Sequence, residues 1–502
     1  MYRPVVISSD DMADEEASVR LLPGLPSYES RDKKAPEGGW SMRNTAFLAS
    51  LVLNLMFIAM LVAVFGLSWM TPNSHTPAAP QWNDALQAAE LAASKWCSGN
   101  GNVFVDTLGF NADGSGDCEC NDCFTGPDCS ISVPDCIADA DAGDPLLFEA
   151  YWRENADLGT TVIPGWYRMS YRPQDGATTL YTDGFMAAIK DLHALVGNAV
   201  TEGRYIVAGT GSMQLINAVV HSLALQDEGR VTPVVAKAPF YNAYSLQTEY
   251  LESPLYKFAG EPDRLTGNPN GKGGQIELIA SPNNPSFQMQ EVTQNVTGPV
   301  VYDHAYYWPH LTPITKTMDS DIMLFTLSKI TGHAGSRVGW VIMKDFDLFQ
   351  KVTWYTMINT IGVSHDAQAR ATQLMRTVIR SYSKGDPGKK GIFHYGQKEL
   401  QSRWARLQDI FKNSSRFSLQ ELKPGYCNFF KKVSDPSPGY AWIHCNHEED
   451  VDCQAVMLSG GITGRPGSEF GSSDRYVRLA LLKRQSSFEN LVAHLEKLVA
   501  QT

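Results

Sequence analysis

The longest apolar stretch of the chain is residues 45–69, which carry no charged side chain. A helix of that length crosses a hydrocarbon layer of ~30 Å. A cleaved secretory signal is an alternative, but such signals have a shorter apolar run and start closer to the N-terminus. A buried core helix is a third interpretation. The pattern favours a transmembrane helix over residues 45–69.

From about residue 137, short apolar runs rich in β-branched residues alternate with longer amphipathic stretches, as in a mostly parallel sheet covered by helices. The predicted strands are Tyr205–Ala208, Val231–Ala236, Ile276–Ala280, Pro299–Tyr302, Ile322–Leu327 and Gly339–Met343. After Gly362 come long helices and then short strands near Tyr426–Lys431, Tyr440–His444 and Tyr476–Leu481. The pattern predicts a large α/β domain over residues 137–360 and a smaller α+β domain over residues 361–502.

The segments around the apolar stretch are polar. Residues 1–44 are predicted to be a disordered cytoplasmic tail, and residues 70–96 a linker with a short helix through Asp84–Ser94. Residues 97–136 hold six cysteines, a density typical of a disulfide-stapled module whose pairing the residues alone leave open. A zinc site at Cys120 and Cys123 is disfavoured because no histidine lies nearby.

Basic residues flank the predicted span on one side. Four precede it closely, namely Arg31, Lys33, Lys34 and Arg43, whereas the first one after it is Lys95. Because the basic side of a span stays cytoplasmic, the rest of the chain should be lumenal or extracellular. Glycosylation motifs at Asn295 and Asn413 agree with that orientation. The prediction is a single-pass membrane protein of the secretory pathway.

Composition and charge narrow the function. With 502 residues, 43% of them hydrophobic, the chain can form a large core. Its net charge of −12 gives no electrostatic footprint for a nucleic acid. We therefore expect a small-molecule substrate.

Ligands of an open parallel sheet gather at the carboxyl ends of the strands. After Tyr205–Ala208 comes Gly209-Thr210-Gly211-Ser212, then a helical pattern, which suits a phosphate at a helix N-terminus. A dinucleotide site would need a glycine at position 214, which is Gln214, so NAD and FAD are disfavoured. A plain strand-to-helix turn is the alternative.

Three further strand ends carry chemistry. Asn284 lies in a Pro-rich turn that could reach a bound ring, and Asp303 could keep a pyridine nitrogen protonated. Lys329 follows an apolar strand, and a desolvated lysine can form a Schiff base; Arg337 offers a planar fork for phosphate. In isolation these would be a turn, a helix N-cap, a solvated lysine and a structural arginine. Their joint order indicates a pyridoxal 5'-phosphate site.

That order resembles the fold-type I aminotransferases. Longer strings are similar to the plant alliinase and tryptophan-aminotransferase-related family, from about Cys97 to the C-terminus: RYIVAGTGSMQL, APFYNAY, SPNNP, YDHAYYWPHLTPIT and LFTLSKITGHAGSRVGW. The resemblance implies the fold of a fold-type I pyridoxal-phosphate-dependent transferase behind an EGF-like module. It also implies the disulfides Cys97–Cys118, Cys120–Cys129, Cys123–Cys136 and Cys445–Cys453, with Cys427 left over and buried.

The resemblance further implies residue roles. Lys329 would hold the cofactor and move protons, Asp303 would pair with the pyridine nitrogen, and Tyr306 and Asn284 would bind the ring hydroxyl. The phosphate would be lined by Gly211, Ser212, Met213, Ser328 and Arg337. Tyr171 would reach the phosphate of a neighbouring subunit, which implies a homodimer. The substrate would meet Gly143, Tyr171, Tyr241 and Arg478.

Two reactions share these residues: transamination between an L-amino acid and a 2-oxo acid, and carbon–sulfur lysis of an S-alkyl-L-cysteine sulfoxide. Just before Gly143, alliinases place a serine where this chain has Ala142, and this difference favours the aminotransferase. The EGF-like module favours the lyase instead. A non-enzymatic ectodomain with a decayed enzyme is a third hypothesis. The joint presence of Lys329, Asp303, Asn284 and Arg337 argues against decay.

Overall fold

The computed structural model of the chain describes residues 83–107, 116–174, 179–226, 230–262, 274–293, 298–383 and 391–501. Nearly all of them belong to the second of two compact units, Ala85–Thr502. None of the helices in these stretches is long and apolar enough to cross a membrane. The predicted tail (1–44), the predicted span (45–69) and Asn295 lie outside the described residues.

A helix and a disulfide-bonded module begin the described chain. Helix α1 (Asn83–Ser94) starts one residue before its predicted position. Two short antiparallel pairs follow, β1 (Gly101–Asn102) with β2 (Glu119–Cys120), and β3 (Phe124–Thr125) with β4 (Ile131–Ser132). The module contains the disulfides Cys97–Cys118, Cys120–Cys129 and Cys123–Cys136. These are the pairs that the resemblance to alliinases implies.

A seven-stranded sheet forms the centre of the molecule. Its strands are β6 (Tyr205–Gly209), β7 (Thr232–Val235), β8 (Tyr256–Gly260), β9 (Ile276–Ala280), β10 (Val300–Asp303), β11 (Ile322–Thr326) and β12 (Gly339–Met343). They lie in the order β6-β12-β11-β10-β9-β7-β8, and β12 alone runs antiparallel to its neighbours. Strands β9, β11 and β12 are buried along their whole length, as expected of apolar strands covered on both faces.

Helices cover this sheet and extend towards the C-terminus. They are α2 (Phe148–Glu154), α3 (Ala156–Gly159), α4 (Asp183–Val196), α5 (Gly211–Ala224), α6 (Ala243–Tyr250), α7 (Phe346–Thr360), α8 (His365–Ser383) and α9 (Ile392–Phe411). Side-chain caps fix two of their starts, since Thr182 accepts from the N–H of Phe185 and Asp345 from that of Leu348. The core therefore lies between the sheet and its helices.

The C-terminal domain has its own antiparallel sheet. It consists of β13 (Phe417–Leu419), β16 (Tyr440–Cys445), β19 (Tyr476–Ala480) and β18 (Arg465–Pro466), in that order. A separate hairpin joins β14 (Gly425–Cys427) to β15 (Lys432–Ser434). Helices α10 (Cys453–Ser459) and α11 (Gln485–Ala500) complete the domain, and a disulfide joins Cys445 to Cys453. Cys427 is a buried free thiol.

Two sequence expectations differ from the structure. The single strand predicted at Tyr426–Lys431 is wrong, because a turn with Lys431 at positive φ separates β14 from β15. The segment after residue 137, predicted to begin the large domain, pairs with the C-terminal domain instead: β5 (Ala138–Asp139) lies parallel to β17 (Ile462–Thr463). Four residues after β5, the carbonyl oxygen of Gly143 accepts a hydrogen bond from Lys329.

Candidate active site

The carboxyl ends of three neighbouring parallel strands, β9, β10 and β11, bring three predicted site residues together. Asp303 ends β10 and lies beside Ala280 of β9 and Leu324 of β11 in the strand register. Asn284 and Lys329 follow those two neighbours within a few residues. One edge of the sheet therefore gathers the carboxylate, the amide and the lysine amine.

Asp303 is a buried carboxylate, 6% exposed. Its Oδ2 accepts a hydrogen bond from the hydroxyl of Tyr244 at 3.2 Å, and its Oδ1 accepts from the N–H of Ala305 at 3.0 Å. Within the described ranges no cation pairs with it, and burial raises the pKa of Asp303 to about 6. A cationic ring nitrogen is the partner that this carboxylate fits.

Lys329 closes a short 3₁₀ turn, Leu327–Lys329, after β11. Its Nζ donates to the carbonyl oxygen of Gly143 at 2.7 Å and lies 5.8 Å from the centre of the Tyr306 ring. The Lys329 carbonyl accepts from Nε2 of His310 at 2.9 Å. Burial lowers the pKa of His310 to about 4, so a neutral ring holds the lysine backbone.

Three polar side chains form a buried cluster beside the lysine. The hydroxyl oxygens of Tyr306 and Tyr440 are 3.0 Å apart, and Nδ2 of Asn284 donates to the Tyr306 hydroxyl at 3.4 Å. Burial raises the pKa of Tyr306 well above its ordinary value. The cluster can bind a ring oxygen through the Tyr306 hydroxyl and the Asn284 amide.

Arg478 lies next to this cluster and is 3% exposed. Its Nη1 donates to Oδ1 of Asn284 at 3.1 Å, and its Nη2 donates to the carbonyl oxygen of Asp141 at 2.6 Å. The Asp141 carboxylate makes two bonds of 2.8 Å to Arg465, which lies opposite Arg478 in the register of β18 and β19. A buried, planar guanidinium held in this way suits the α-carboxylate of an amino acid.

The N-terminus of α5 forms a cradle for an anion. Gly211 has φ +78° and lies so close to the Arg337 guanidinium that a Cβ would collide with it. Arg337 is exposed and donates to the carbonyl of Ala334 at 3.0 Å. Gln214 accepts from both the N–H and the hydroxyl of Thr210, at 2.8 and 2.7 Å. Gln214 therefore stabilises this turn at the position where a dinucleotide site has a glycine.

The other predicted residues differ in how they meet this site. Ser212 and Met213 are half-buried on the first turn of α5, and the buried Ser328 hydroxyl accepts from Thr326 at 2.9 Å. Tyr241 donates to the Met213 sulfur at 3.6 Å, and burial raises the pKa of Tyr241 to about 12. Tyr171 is 75% exposed, and the structure of this subunit does not bring it into the cluster.

Sequence reasoning missed four residues that contact the predicted ones: Tyr244, His310, Tyr440 and Asp141. They lie from 19 residues (His310 and Lys329) to 337 residues (Asp141 and Arg478) away from their partners in the sequence. No spacing rule along one chain reports such contacts. Tyr244 and His310 stand in the family-like strings APFYNAY and YDHAYYWPHLTPIT, and Asp141 stands two residues before the predicted Gly143, but none of these places indicates the contact.

Comparison with known proteins identifies the family. The model of the family described as "Allinase" matches residues 138–499, and that of the "Alliinase EGF-like domain" matches residues 81–136. The chain belongs to the alliinase family. It is 40% identical over 460 residues to tryptophan aminotransferase-related protein 4 of Arabidopsis thaliana, covering 90% of this chain and 95% of that protein. It is 37% identical over 441 residues to alliin lyase 2 of Allium sativum, covering 86% and 92%.

Solved structures agree on the fold. An aminotransferase from Staphylococcus aureus matches with a TM-score of 0.52 at 16% identity, over 72% of this chain and 94% of that one. Alliinases are pyridoxal-phosphate enzymes, so this alliinase-family chain is a pyridoxal-phosphate-dependent enzyme, an aminotransferase or a carbon–sulfur lyase. The residues fit the cofactor in two ways. Asp303 lacks a cationic partner among the described residues. At the Gly211 turn, a side chain would collide with Arg337, so the backbone and the guanidinium lie close together. The EGF-like domain and four disulfides indicate a protein of the secretory pathway or the extracellular space.

Proposed function

We propose that this chain is an aminotransferase that moves the amino group of an L-amino acid to a 2-oxo acid. The observation that carries the proposal is that Lys329 and Asp303 follow neighbouring strands at one edge of the central sheet, where Arg478 of β19 donates to Asn284. An amine, an acid and a carboxylate receptor are the groups that this chemistry requires.

Residues of this chain would divide the binding of pyridoxal phosphate among them. Asp303 would hold a proton at the ring nitrogen, and Tyr306 and Asn284 would bind the ring oxygen. The phosphate would be bound by Gly211, Ser212, Met213, Ser328 and Arg337. When bound, the cofactor supplies an electron sink that stabilises negative charge at the substrate α-carbon.

The remaining work belongs to the protein's own side chains. Arg478 would hold the substrate α-carboxylate and so orient the α-hydrogen towards Lys329. The Lys329 amine would remove that proton as a general base. It would then act as a general acid and donate the proton to a different atom. Its present contact with the Gly143 carbonyl supports a position beside the substrate. Tyr241, packed on Tyr244 with ring centres 5.6 Å apart, would border the substrate side chain.

The choice between the two reactions rests on one position. Ala142 is half-buried next to Gly143 and carries no hydroxyl, where the family resemblance expects a serine in sulfoxide lyases. This supports transamination. The lyase remains the second candidate, because relatives named alliin lyase are 37% identical over most of the chain.

Two assays test the reaction, and one variant tests the site. Purified protein would be incubated with L-tryptophan and a 2-oxo acid, and separately with an S-alkyl-L-cysteine sulfoxide. We expect the 2-oxo acid of tryptophan from the first mixture. Pyruvate and ammonia from the second mixture alone would reverse the choice. Lys329→Ala should lose covalent cofactor, and a colourless wild type after reconstitution would contradict the cofactor assignment itself.

A homodimer and a membrane anchor belong to the same proposal. Tyr171 is exposed, as are Trp166 at 72% and Met169 at 84%, which are close to it in the sequence, and this supports contact with a second subunit. Residues 45–69 would form the anchor, with residues 97–136 and the domains behind them lumenal or extracellular; the exposed Asn413 supports glycosylation on that side. The orientation fails if protease outside sealed microsomes digests the catalytic domains.

A further inference from the structure

Tyr440 has no part in the function proposed so far, although it touches several residues that do. It is the first residue of β16 and is 2% exposed. Its hydroxyl oxygen lies 3.0 Å from that of Tyr306, and a Cβ on Gly143 would collide with it. Its ring lies 4.3 Å from the guanidinium carbon of Arg478. Tyr440 therefore connects the cofactor side of the site with the substrate side.

The direction of the hydrogen bonds at Tyr306 can be worked out from its neighbours. Arg478 only donates, so the Asn284 atom that it contacts is the amide oxygen. The Asn284 nitrogen then faces the Tyr306 hydroxyl and donates to it. Tyr306 thus accepts one hydrogen bond whose direction is fixed by the arginine.

The pair Tyr306–Tyr440 has a direction as well. Burial raises the pKa of both phenols, but at Tyr440 the charges of Lys329 and Arg478, with a contribution from Arg465, outweigh burial and lower the pKa. At Tyr306 burial dominates, and the neighbouring phenols of Tyr440 and Tyr241 raise the pKa further. Among the described residues, the Tyr306 oxygen is the hydrogen-bond partner found for the buried Tyr440 hydroxyl, so the Tyr440 proton has that oxygen as its acceptor. The lowered pKa of Tyr440 agrees with Tyr440 as the donor.

We propose that Tyr440 is a positioning residue for the cofactor: its hydroxyl donates to Tyr306 and turns the Tyr306 proton towards the ring oxygen of bound pyridoxal phosphate. The reason is the count of hydrogens. A tyrosine hydroxyl has one proton, and an oxygen that already accepts from Asn284 and Tyr440 is left with that proton to donate outward. The inference rests on the proposed contact between Tyr306 and the ring oxygen.

The consequence concerns the charge of that ring oxygen. A donor stabilises the ionised oxygen, and a polarised donor does so more strongly. Removing the Tyr440 hydroxyl should therefore weaken the Tyr306 hydrogen bond and make the oxygen harder to ionise. The visible absorbance of the bound cofactor reports this ionisation without any turnover.

The experiment uses the full-length holoenzyme and Tyr440→Phe, which keeps the ring next to Arg478 and removes only the hydroxyl. We expect the pH midpoint of the absorbance change, measured without substrate, to rise by about 0.5 to 1 pH unit, the size of one hydrogen bond. The matched control is Tyr307→Phe, whose buried hydroxyl donates to the Lys316 carbonyl at 2.7 Å. That control should leave the midpoint in place.

Tyr306→Phe separates this inference from the proposal beneath it. It should shift the midpoint upwards, and Tyr440→Phe added to it should shift the midpoint no further, because Tyr440 acts through Tyr306. If Tyr306→Phe shifts the midpoint and Tyr440→Phe does not, or shifts it downwards, the role of Tyr440 is wrong. If Tyr306→Phe has no effect, the placing of Tyr306 at the ring oxygen is wrong. A purely structural role would lower the melting temperature of Tyr440→Phe and leave the midpoint unchanged.

Discussion

At the scale of single residues, the buried Asp303 carboxylate suits a cationic ring nitrogen but lowers the stability of the cofactor-free protein when it is charged. Its pKa is raised by burial from 3.8 to about 6, so the folded protein binds the proton more tightly than the unfolded chain does. For an acid with a raised pKa, the stability of the cofactor-free protein is highest at low pH. It falls as the pH rises from about 4 to about 6, by on the order of 3 kcal/mol.

Asp303→Asn tests this balance. In the cofactor-free protein we expect the variant to be more stable than wild type above pH 6, by up to about 3 kcal/mol, and nearly equal near pH 4. In the holoenzyme the order should reverse, because the asparagine cannot pair with a protonated ring nitrogen. Urea unfolding at several pH values, with and without pyridoxal phosphate, measures both effects. A pH-independent difference in the cofactor-free protein would contradict the buried-charge account.

Arg478 allows a second test on a single side chain. Arg478→Lys keeps the charge but cannot reach both Asn284 and the Asp141 carbonyl, so the carboxylate receptor loses its planar fork. We expect KM for the amino acid to rise on the order of 10²-fold, the equivalent of about 2 to 3 kcal/mol. Steady-state kinetics measures it, with Arg475→Lys as the control because Arg475 binds backbone carbonyls nearby. An unchanged KM would place the α-carboxylate elsewhere.

At the scale of elements, the junction between β6 and α5 depends on a glycine conformation. Gly211→Ala puts a Cβ at positive φ and against Arg337, which should cost about 1 to 2 kcal/mol of stability and weaken cofactor binding. The control is Gly184→Ala near the start of α4, where no atom lies within 4 Å of the added Cβ; there we expect a gain of about 0.5 to 1 kcal/mol. Urea unfolding and titration with pyridoxal phosphate distinguish the two. Equal effects at both glycines would contradict the role of the turn.

The elements also show what a sequence can predict. Strands β9, β11 and β12 are buried and mostly apolar, with Glu277 the one charged residue among them, and their predicted bounds agree with the structure to within one residue. Strand β8, largely half-exposed at the edge of the sheet, has no such pattern and was not predicted. Asp303 and Lys329 were predictable because parallel strands end at the same edge. Tyr440 and Asp141 were not, because contacts across 134 and 337 residues come from the tertiary fold.

At the scale of the whole molecule, the disulfide module packs on the last helix of the chain. The Ser487 hydroxyl of α11 donates to Asp122 at 3.0 Å, and Asn490 donates to the Cys136 carbonyl at 3.3 Å. The same helix contacts β5, the strand that leads to Gly143. The module and the catalytic domains therefore share one helix, and the module's position is tied to the segment that reaches Lys329.

A homodimer in which Tyr171 serves the partner's site has a consequence that mixing can detect. Lys329→Ala and Tyr171→Ala homodimers should each have little activity, because every site carries one defect. In a heterodimer of the two variants, a Tyr171 supplied across the interface leaves one site with both defects and the other intact. Random reassortment of equal amounts should then restore about a quarter of wild-type activity. If Tyr171 acted within its own subunit, both sites would stay defective and the mixture would remain inactive. Reassortment is verified by two affinity tags, so an inactive mixture that contains the heterodimer contradicts the shared site.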